Sequence, residues 1–82
     1  MSINTECGII GIINVKNRKK NISNVIKGLT LLQHRGQEST GISYLDDSHI
    51  EIYKNMGLVS TVFDSIDTDT NLPSSSIVIG HV

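Results

Sequence analysis

The single thiol of this chain, Cys7, is the side chain best suited to covalent chemistry. It lies in the stretch TECGIIGI (residues 5–12), behind a short polar leader and directly before a glycine and an apolar run. If the bond between Glu6 and Cys7 were cut, the thiol would share its residue with a free α-amino group, whose pKa is about 7.7–8.0. Such an amine can act as the general base for its own side chain, and the thiolate is the nucleophilic form. The stretch therefore raises the hypothesis of an amino-terminal nucleophile.

Cys7 has two other interpretations. A cysteine without chemistry-bearing neighbours is usually a small buried hydrophobic residue, and this interpretation stays open. Zinc coordination would require three histidines separated from Cys7 and from each other by 15 residues or more, namely His34, His49 and His81. Because no compact zinc site has that spacing, we expect no metal bound by these residues.

Composition narrows the class of protein. The chain has 82 residues, a net charge of −1 and only three aromatic side chains, which argues against a nucleic-acid-binding surface. One cysteine cannot form an internal disulfide, and the leader MSINTE lacks the basic start and apolar core of a signal peptide. No apolar run is long enough to span a membrane. We therefore expect a cytoplasmic protein with a reduced Cys7, and no nucleic-acid or membrane partner.

The hydrophobic pattern predicts an α+β chain. The apolar run at 8–15 predicts a buried strand, and after a charged turn a helix is expected to start at Asn21 or Ser23, both common N-caps. Gly36 is expected to end that helix. Its predicted buried stripe consists of Ile22, Val25, Ile26, Leu29 and Leu32.

The second half of the chain predicts shorter elements. The sequence predicts a β-hairpin from residues 40–45 and 49–54, a short helix at 57–66, a loop at 67–76 and a last strand at 76–82. A strand at the last residue, with no turn to follow it, predicts an exposed edge. We interpret the chain as the front portion of a larger fold.

A second stretch, LLQHRGQESTGI (31–42), favours the amino-terminal nucleophile among the interpretations of Cys7. An ordinary helix C-terminus explains Arg35 and Gly36, since cations suit the dipole there and glycine suits the left-handed turn. It does not explain the rest of the string. Together with ECGIIGI, KNMGLVSTVF (54–63) and IGHV (79–82), this stretch resembles the start of the amidophosphoribosyltransferases, whose amino-terminal half is a class II glutamine amidotransferase domain. The four motifs agree with that family in order and spacing.

The resemblance implies a set of residue roles. Residues 1–6 would be a leader that is removed, and 7–82 part of the glutamine amidotransferase domain. Cys7 would be the catalytic nucleophile that releases ammonia from glutamine, and the ammonia would then react with phosphoribosyl pyrophosphate. The Arg35 guanidinium and the Gly36 backbone would orient the free amine of Cys7 beside the glutamine site.

The resemblance also implies a fold and partners. The fold would be the four-layer αββα N-terminal nucleophile (Ntn) hydrolase fold, of which this chain supplies roughly the first third. The parent would be a homo-oligomer, and any Mg²⁺ ion or iron–sulfur cluster would lie outside these residues. Because the oxyanion-hole and carboxylate-binding residues of the family are not among the 82, we expect this stretch alone to be inactive.

Two alternatives stay open. One is another class II glutamine amidotransferase such as glucosamine-6-phosphate synthase, although its second motif resembles Leu-Glu-Tyr-Arg-Gly-Tyr-Asp-Ser instead of the Gln-His-Arg-Gly-Gln pattern found here. The other is an inactive truncated remnant that keeps its leader and at most pairs with another chain.

Overall fold

The described residues form one antiparallel sheet with helices on one side. A computed structural model of the protein describes residues 8–33, 39–64 and 72–82. Four strands lie in the order β1-β4-β2-β3, so the predicted α+β class is confirmed. The elements are β1 (Ile9–Ile13), a 3-10 turn (Arg18–Lys20), α1 (Asn21–Leu32), β2 (Ser39–Asp46), β3 (His49–Met56), α2 (Val59–Val62) and β4 (Ile77–His81).

The last strand lies inside the sheet, not at its edge. β4 pairs with β1 from Ile9↔His81 to Ile13↔Ile77, and with β2 from Gly41↔His81 to Tyr44↔Val78. The prediction of an exposed edge strand at 76–82 is therefore wrong, because both sides of β4 are hydrogen-bonded. Among the described strands, β1 and β3 lie at the edges of the sheet.

Helix α1 covers one face of the sheet through the stripe that its sequence predicts. Ile22, Val25 and Leu29 are fully buried, Ile26 is buried, and Leu32 is partly buried against this core. A Cβ added at Gly80 would lie 2.6 Å from Val25 Cγ1 and 2.8 Å from a Leu29 methyl group. Glycine in the central strand therefore lets the helix pack closely on the sheet.

The ends of α1 differ from the prediction. The helix does begin at Asn21, but the Asn21 side chain does not cap it: its Nδ2 donates to the carbonyl oxygens of Asn14 (3.0 Å) and Ser75 (2.6 Å). The helix ends at Leu32, and Gln33 is already extended, with φ −67° and ψ 130°. The predicted stop at Gly36 lies outside the described residues, as do the predicted loop residues 67–71.

The opposite face of the sheet has no covering element among the residues that the structure describes. The prediction that β1 is buried is wrong for this reason: Ile9 and Ile13 are 74% and 78% exposed, whereas Ile10 and Ile12 on the helix side pack against the core. The strand register places five further exposed apolar side chains on the same side. We call this set the open face: Ile9, Ile13, Ile50, Ile52, Met56, Ile77 and Ile79.

The helices of the described ranges are short. None has both the length and the apolar character that crossing a bilayer requires.

Candidate functional site

The residues predicted to do chemistry lie next to described residues. Cys7, Arg35 and Gly36 are outside the described part of the chain, as is His34. Gly8 follows Cys7 directly, and Gln33 and Ser39 flank the segment that contains Arg35 and Gly36. These flanking residues therefore form the described surroundings of the candidate site.

The backbone at Gly8 is held tightly between two elements. Gly8 N donates to Val82 O (3.2 Å) and Val82 N donates to Gly8 O (3.0 Å), which extends the β1–β4 pairing by one residue pair. A Cβ added at Gly8 would lie 3.1 Å from Leu32 Cβ and 3.1 Å from Val82 Cγ2. The chain next to the thiol is therefore fixed against the end of α1 and the end of β4, and glycine suits this close approach.

Gln33 connects the end of α1 to the start of α2. Its backbone N donates to Leu29 O (2.9 Å), which completes the last turn of α1. Its side-chain Oε1 accepts a hydrogen bond from Val59 N (3.2 Å). Because the N-cap residue of α2 is Leu58, whose side chain has no oxygen, Gln33 supplies the capping acceptor from another part of the chain.

The starts and ends of the other strands meet at the same end of the sheet. Gly41 of β2 lies between His81 of β4 and Lys54 of β3 in one row of paired residues. A Cβ added at Gly41 would meet the His81 ring and lie 2.8 Å from Lys54 Cβ. Thr40 is fully buried and its Oγ1 donates to Gly57 O (2.9 Å), which ties β2 to the turn before α2.

A surface cavity opens at this end of the sheet. Its volume is about 470 Å³, within the range of small-molecule sites. Ser39, Lys54, Asn55, Met56 and His81 line it. Most of the lining surface is apolar, and the amine, imidazole, hydroxyl and amide around it add groups that can form hydrogen bonds.

A second group of ionisable side chains lies at the other end of the sheet, by the β2–β3 turn. His49 Nε2 is 2.8 Å from Glu51 Oε1, and one ligand atom from each of Asp46, His49 and Glu51 lies within 4.8 Å of the others. Burial, followed by the charges of Glu51 and Asp46, raises the pKa of Tyr44 above its usual range. These groups are remote from Gly8, so they do not belong to the candidate site.

The described residues of all four sequence motifs thus meet at one end of the sheet. Gly8 contacts Leu32 and Val82, and Gln33, which follows Leu32, bonds to Val59. Sequence reasoning missed Gln33. The available signal was a polar residue placed directly after the last apolar residue of the helix stripe.

Comparison with known proteins gives relatives for nearly the whole chain. It is similar to amidophosphoribosyltransferase from Methanocaldococcus jannaschii, with 46% identity over 76 residues, 93% of this chain and 16% of that protein. It is similar to chloroplastic amidophosphoribosyltransferase from Glycine max, with 40% identity over 77 residues, 94% of this chain and 13% of that protein. Glutamine–fructose-6-phosphate aminotransferase (isomerizing) from Sulfolobus acidocaldarius is 37% identical over 75 residues, 92% of this chain and 12% of that protein.

The chain therefore spans only 12% to 16% of the length of these relatives. No protein-family model matches it, and no solved structure matches it.

Proposed function

We propose that this chain is the amino-terminal part of a glutamine-dependent amidotransferase. The chain belongs to the amidophosphoribosyltransferase family, as a fragment of it. The parent would take ammonia from glutamine and transfer it to phosphoribosyl pyrophosphate, the first step of purine synthesis. We place this parent in the cytoplasm as a homo-oligomer. The 82 residues alone carry no activity in this proposal.

The proposed chemistry begins at Cys7. Removal of residues 1–6 gives Cys7 a free amine, which accepts the thiol proton. The thiolate attacks the side-chain amide carbon of glutamine, the C–N bond breaks, and ammonia leaves with the proton returned by the amine. Water then hydrolyses the γ-glutamyl thioester to glutamate and regenerates the thiol. The ammonia displaces pyrophosphate from phosphoribosyl pyrophosphate elsewhere in the parent.

Arg35 and Gly36 orient the amine of Cys7 in this proposal. The Arg35 guanidinium is a hydrogen-bond donor beside the glutamine site, and Gly36 acts through its backbone. A correctly placed amine matters because the rate of attack depends on the alignment of the nucleophile.

One observation carries the proposal: the motif segments that are far apart in sequence meet at one end of the sheet. Gly8 is packed on Leu32 and Val82, so the residue after the thiol lies beside the segment that leads to Arg35 and beside the end of β4. Such a meeting point can bring together a nucleophile, the groups that orient it and a substrate.

The open face supports the four-layer αββα fold for the parent. A sheet with α1 on one side and uncovered isoleucines on the other has the form expected of one half of a two-sheet sandwich. In this proposal the second sheet, and the helices behind it, come from the part of the parent that this chain does not include.

A second candidate function shares the glutamine reaction but has another acceptor. The relative from Sulfolobus acidocaldarius, which is 37% identical, is a glutamine–fructose-6-phosphate aminotransferase. In that case the same Cys7 chemistry would deliver ammonia to fructose 6-phosphate. An assay of the purified parent with phosphoribosyl pyrophosphate and with fructose 6-phosphate distinguishes the two candidate functions.

The decisive experiment is mass spectrometry of the parent protein after treatment with a diazoketone analogue of glutamine. We expect one adduct on Cys7, on a chain that begins at Cys7, and no adduct in Cys7→Ala. Glutaminase activity should be lost in the same variant. Adduct formation that persists in Cys7→Ala, or a labelled parent that still begins at Met1, would contradict the proposed nucleophile.

A further inference from the structure

The side chain of Gln33 makes the one polar contact among the described residues that links the end of α1 directly to α2. Its Oε1 accepts from Val59 N at 3.2 Å, across 26 positions of sequence. Val59 is 1% exposed and Gln33 is half-buried, so this hydrogen bond is partly shielded from water. The bond holds the first residue of the segment that leads to Arg35 in a set position relative to α2.

The other half of the same amide is a buried donor. Gln33 Nε2 is inaccessible to solvent and has no hydrogen-bond acceptor among the described residues. A buried N–H group without an acceptor is unfavourable, and native proteins keep few of them. The carboxamide is oriented by the Val59 bond, so Nε2 has a defined direction in which an acceptor is needed.

Gln33 is also linked, through its neighbour Leu32, to Gly8, the residue that follows Cys7 in the sequence. Leu32, the residue before it, packs against the backbone of Gly8, with 3.1 Å between Leu32 Cβ and a Cβ added at Gly8. A shift of the end of α1 would therefore change the spacing between the start of the Arg35 segment and the backbone next to Cys7.

We propose that Gln33 is a positioning residue for the thiol chemistry. Its Oε1 anchors it to α2, and its Nε2 donates to an acceptor in the active parent that lies outside the described residues. Together the two bonds fix where the Arg35–Gly36 segment begins relative to Cys7. This inference rests on the proposed function, because it assigns Gln33 to the alignment of that nucleophile.

The test uses the processed parent and two variants of nearly the same size. Gln33→Leu removes both hydrogen bonds, whereas Gln33→Glu keeps an acceptor for Val59 N and removes the donor. The first measurement is the rate of Cys7 alkylation by the diazoketone analogue of glutamine, compared with the rate for iodoacetamide. The second is hydrogen exchange at the Val59 amide.

We expect Gln33→Leu to slow alkylation by the glutamine analogue by about 10- to 100-fold, the scale of a misaligned reacting group. Alkylation by iodoacetamide should change by less than about twofold, since that reagent does not need the aligned site. Hydrogen exchange at the Val59 amide should become faster in Gln33→Leu and remain slow in Gln33→Glu. Alkylation of Cys7 by the glutamine analogue should still be slow in Gln33→Glu, because that variant lacks the donor.

Val62→Ala serves as the structural control, because it removes a buried apolar contact in α2 and leaves the amide of Gln33 intact. A wild-type labelling rate in Gln33→Leu, or an equal loss in Val62→Ala, would overturn this inference alone. Recovery of the rate in Gln33→Glu would overturn the role of Nε2. A wild-type parent that the glutamine analogue does not label would overturn the proposed function and this inference with it.

Discussion

Among the described residues, Asn21 joins separate parts of the fold through its side chain. It is 1% exposed, and its Nδ2 bonds to the carbonyl oxygens of Asn14, after β1, and Ser75, before β4. Ser75 is also buried, and its Oγ donates to Leu45 O (2.7 Å) near the end of β2. Two short polar side chains thus hold together the chain ends of β1, β2 and β4 at the amino end of α1.

The substitution Asn21→Asp tests this role of the amide donor. It keeps the size of the side chain but places a carboxylate against two carbonyl oxygens that have lost their donor. We expect the free energy of unfolding to fall by about 1–3 kcal/mol, the cost of buried groups without partners. The measurement is urea unfolding of the 82-residue chain followed by circular dichroism.

Asn24→Asp is the matched control, since Asn24 is exposed in the first turns of the same helix. A negative charge there interacts favourably with the helix dipole and breaks no buried bond. We expect little change, or a small gain. An equal loss in both variants would mean that the Asn21 bonds contribute nothing specific.

At the scale of elements, the sequence predicts best what is local. The 3.6-residue period of α1 predicts both the helix and its buried stripe, because that period decides which side chains share the face that packs on the sheet. Alternation in 49–54 and the Asp-Asp-Ser turn predict the hairpin, which the structure confirms and extends to Ser39–Met56.

What depends on distant pairing was not predictable. β1 reads as buried because isoleucines occupy both of its sides, yet only the side under α1 is covered. The central place of β4 depends on pairing with β1 across more than 60 residues of sequence. The contact of Gln33 with Val59 likewise depends on how the connection after α1 returns to the sheet. The position of Cys7 suggests a nucleophile and a family resemblance supplies the roles of Arg35 and Gly36, and all three stay predictions.

The β2–β3 hairpin offers a prediction about turn chemistry. Asp47 has φ 53°, the left-handed region that costs a side-chain-bearing residue energy. Glycine adopts that conformation freely and is favoured at the first position of tight hairpin turns. We therefore expect Asp47→Gly to raise the free energy of unfolding by about 0.5–1 kcal/mol, measured by urea unfolding.

Ser48→Gly is the control for added chain flexibility, since Ser48 is next to Asp47 and has no positive φ. We expect that variant to be unchanged or slightly less stable. A gain of the same size at both positions would show that relief of the Asp47 backbone is not the cause.

At the scale of the whole molecule, the open face is the main apolar surface that the described residues leave exposed to solvent. Proteins that stay monomeric rarely expose contiguous apolar patches of this extent. Ile52 and Ile79 flank Ser43 in one row at the centre of that face, and they are 67% and 50% exposed. In the proposed sandwich of the parent, the same side chains would be buried between two sheets.

The double substitution Ile52→Thr with Ile79→Thr should therefore have different effects in the two contexts. In the 82-residue chain it should leave the free energy of unfolding nearly unchanged and reduce self-association, measured by sedimentation. In the parent it should cost about 2–5 kcal/mol, since two large apolar side chains would be replaced by hydroxyl-bearing ones inside a core. Val78→Thr, on the face buried under α1, should be destabilising in both. A parent that tolerates the double substitution as well as the 82-residue chain does would rule out a second sheet on this face.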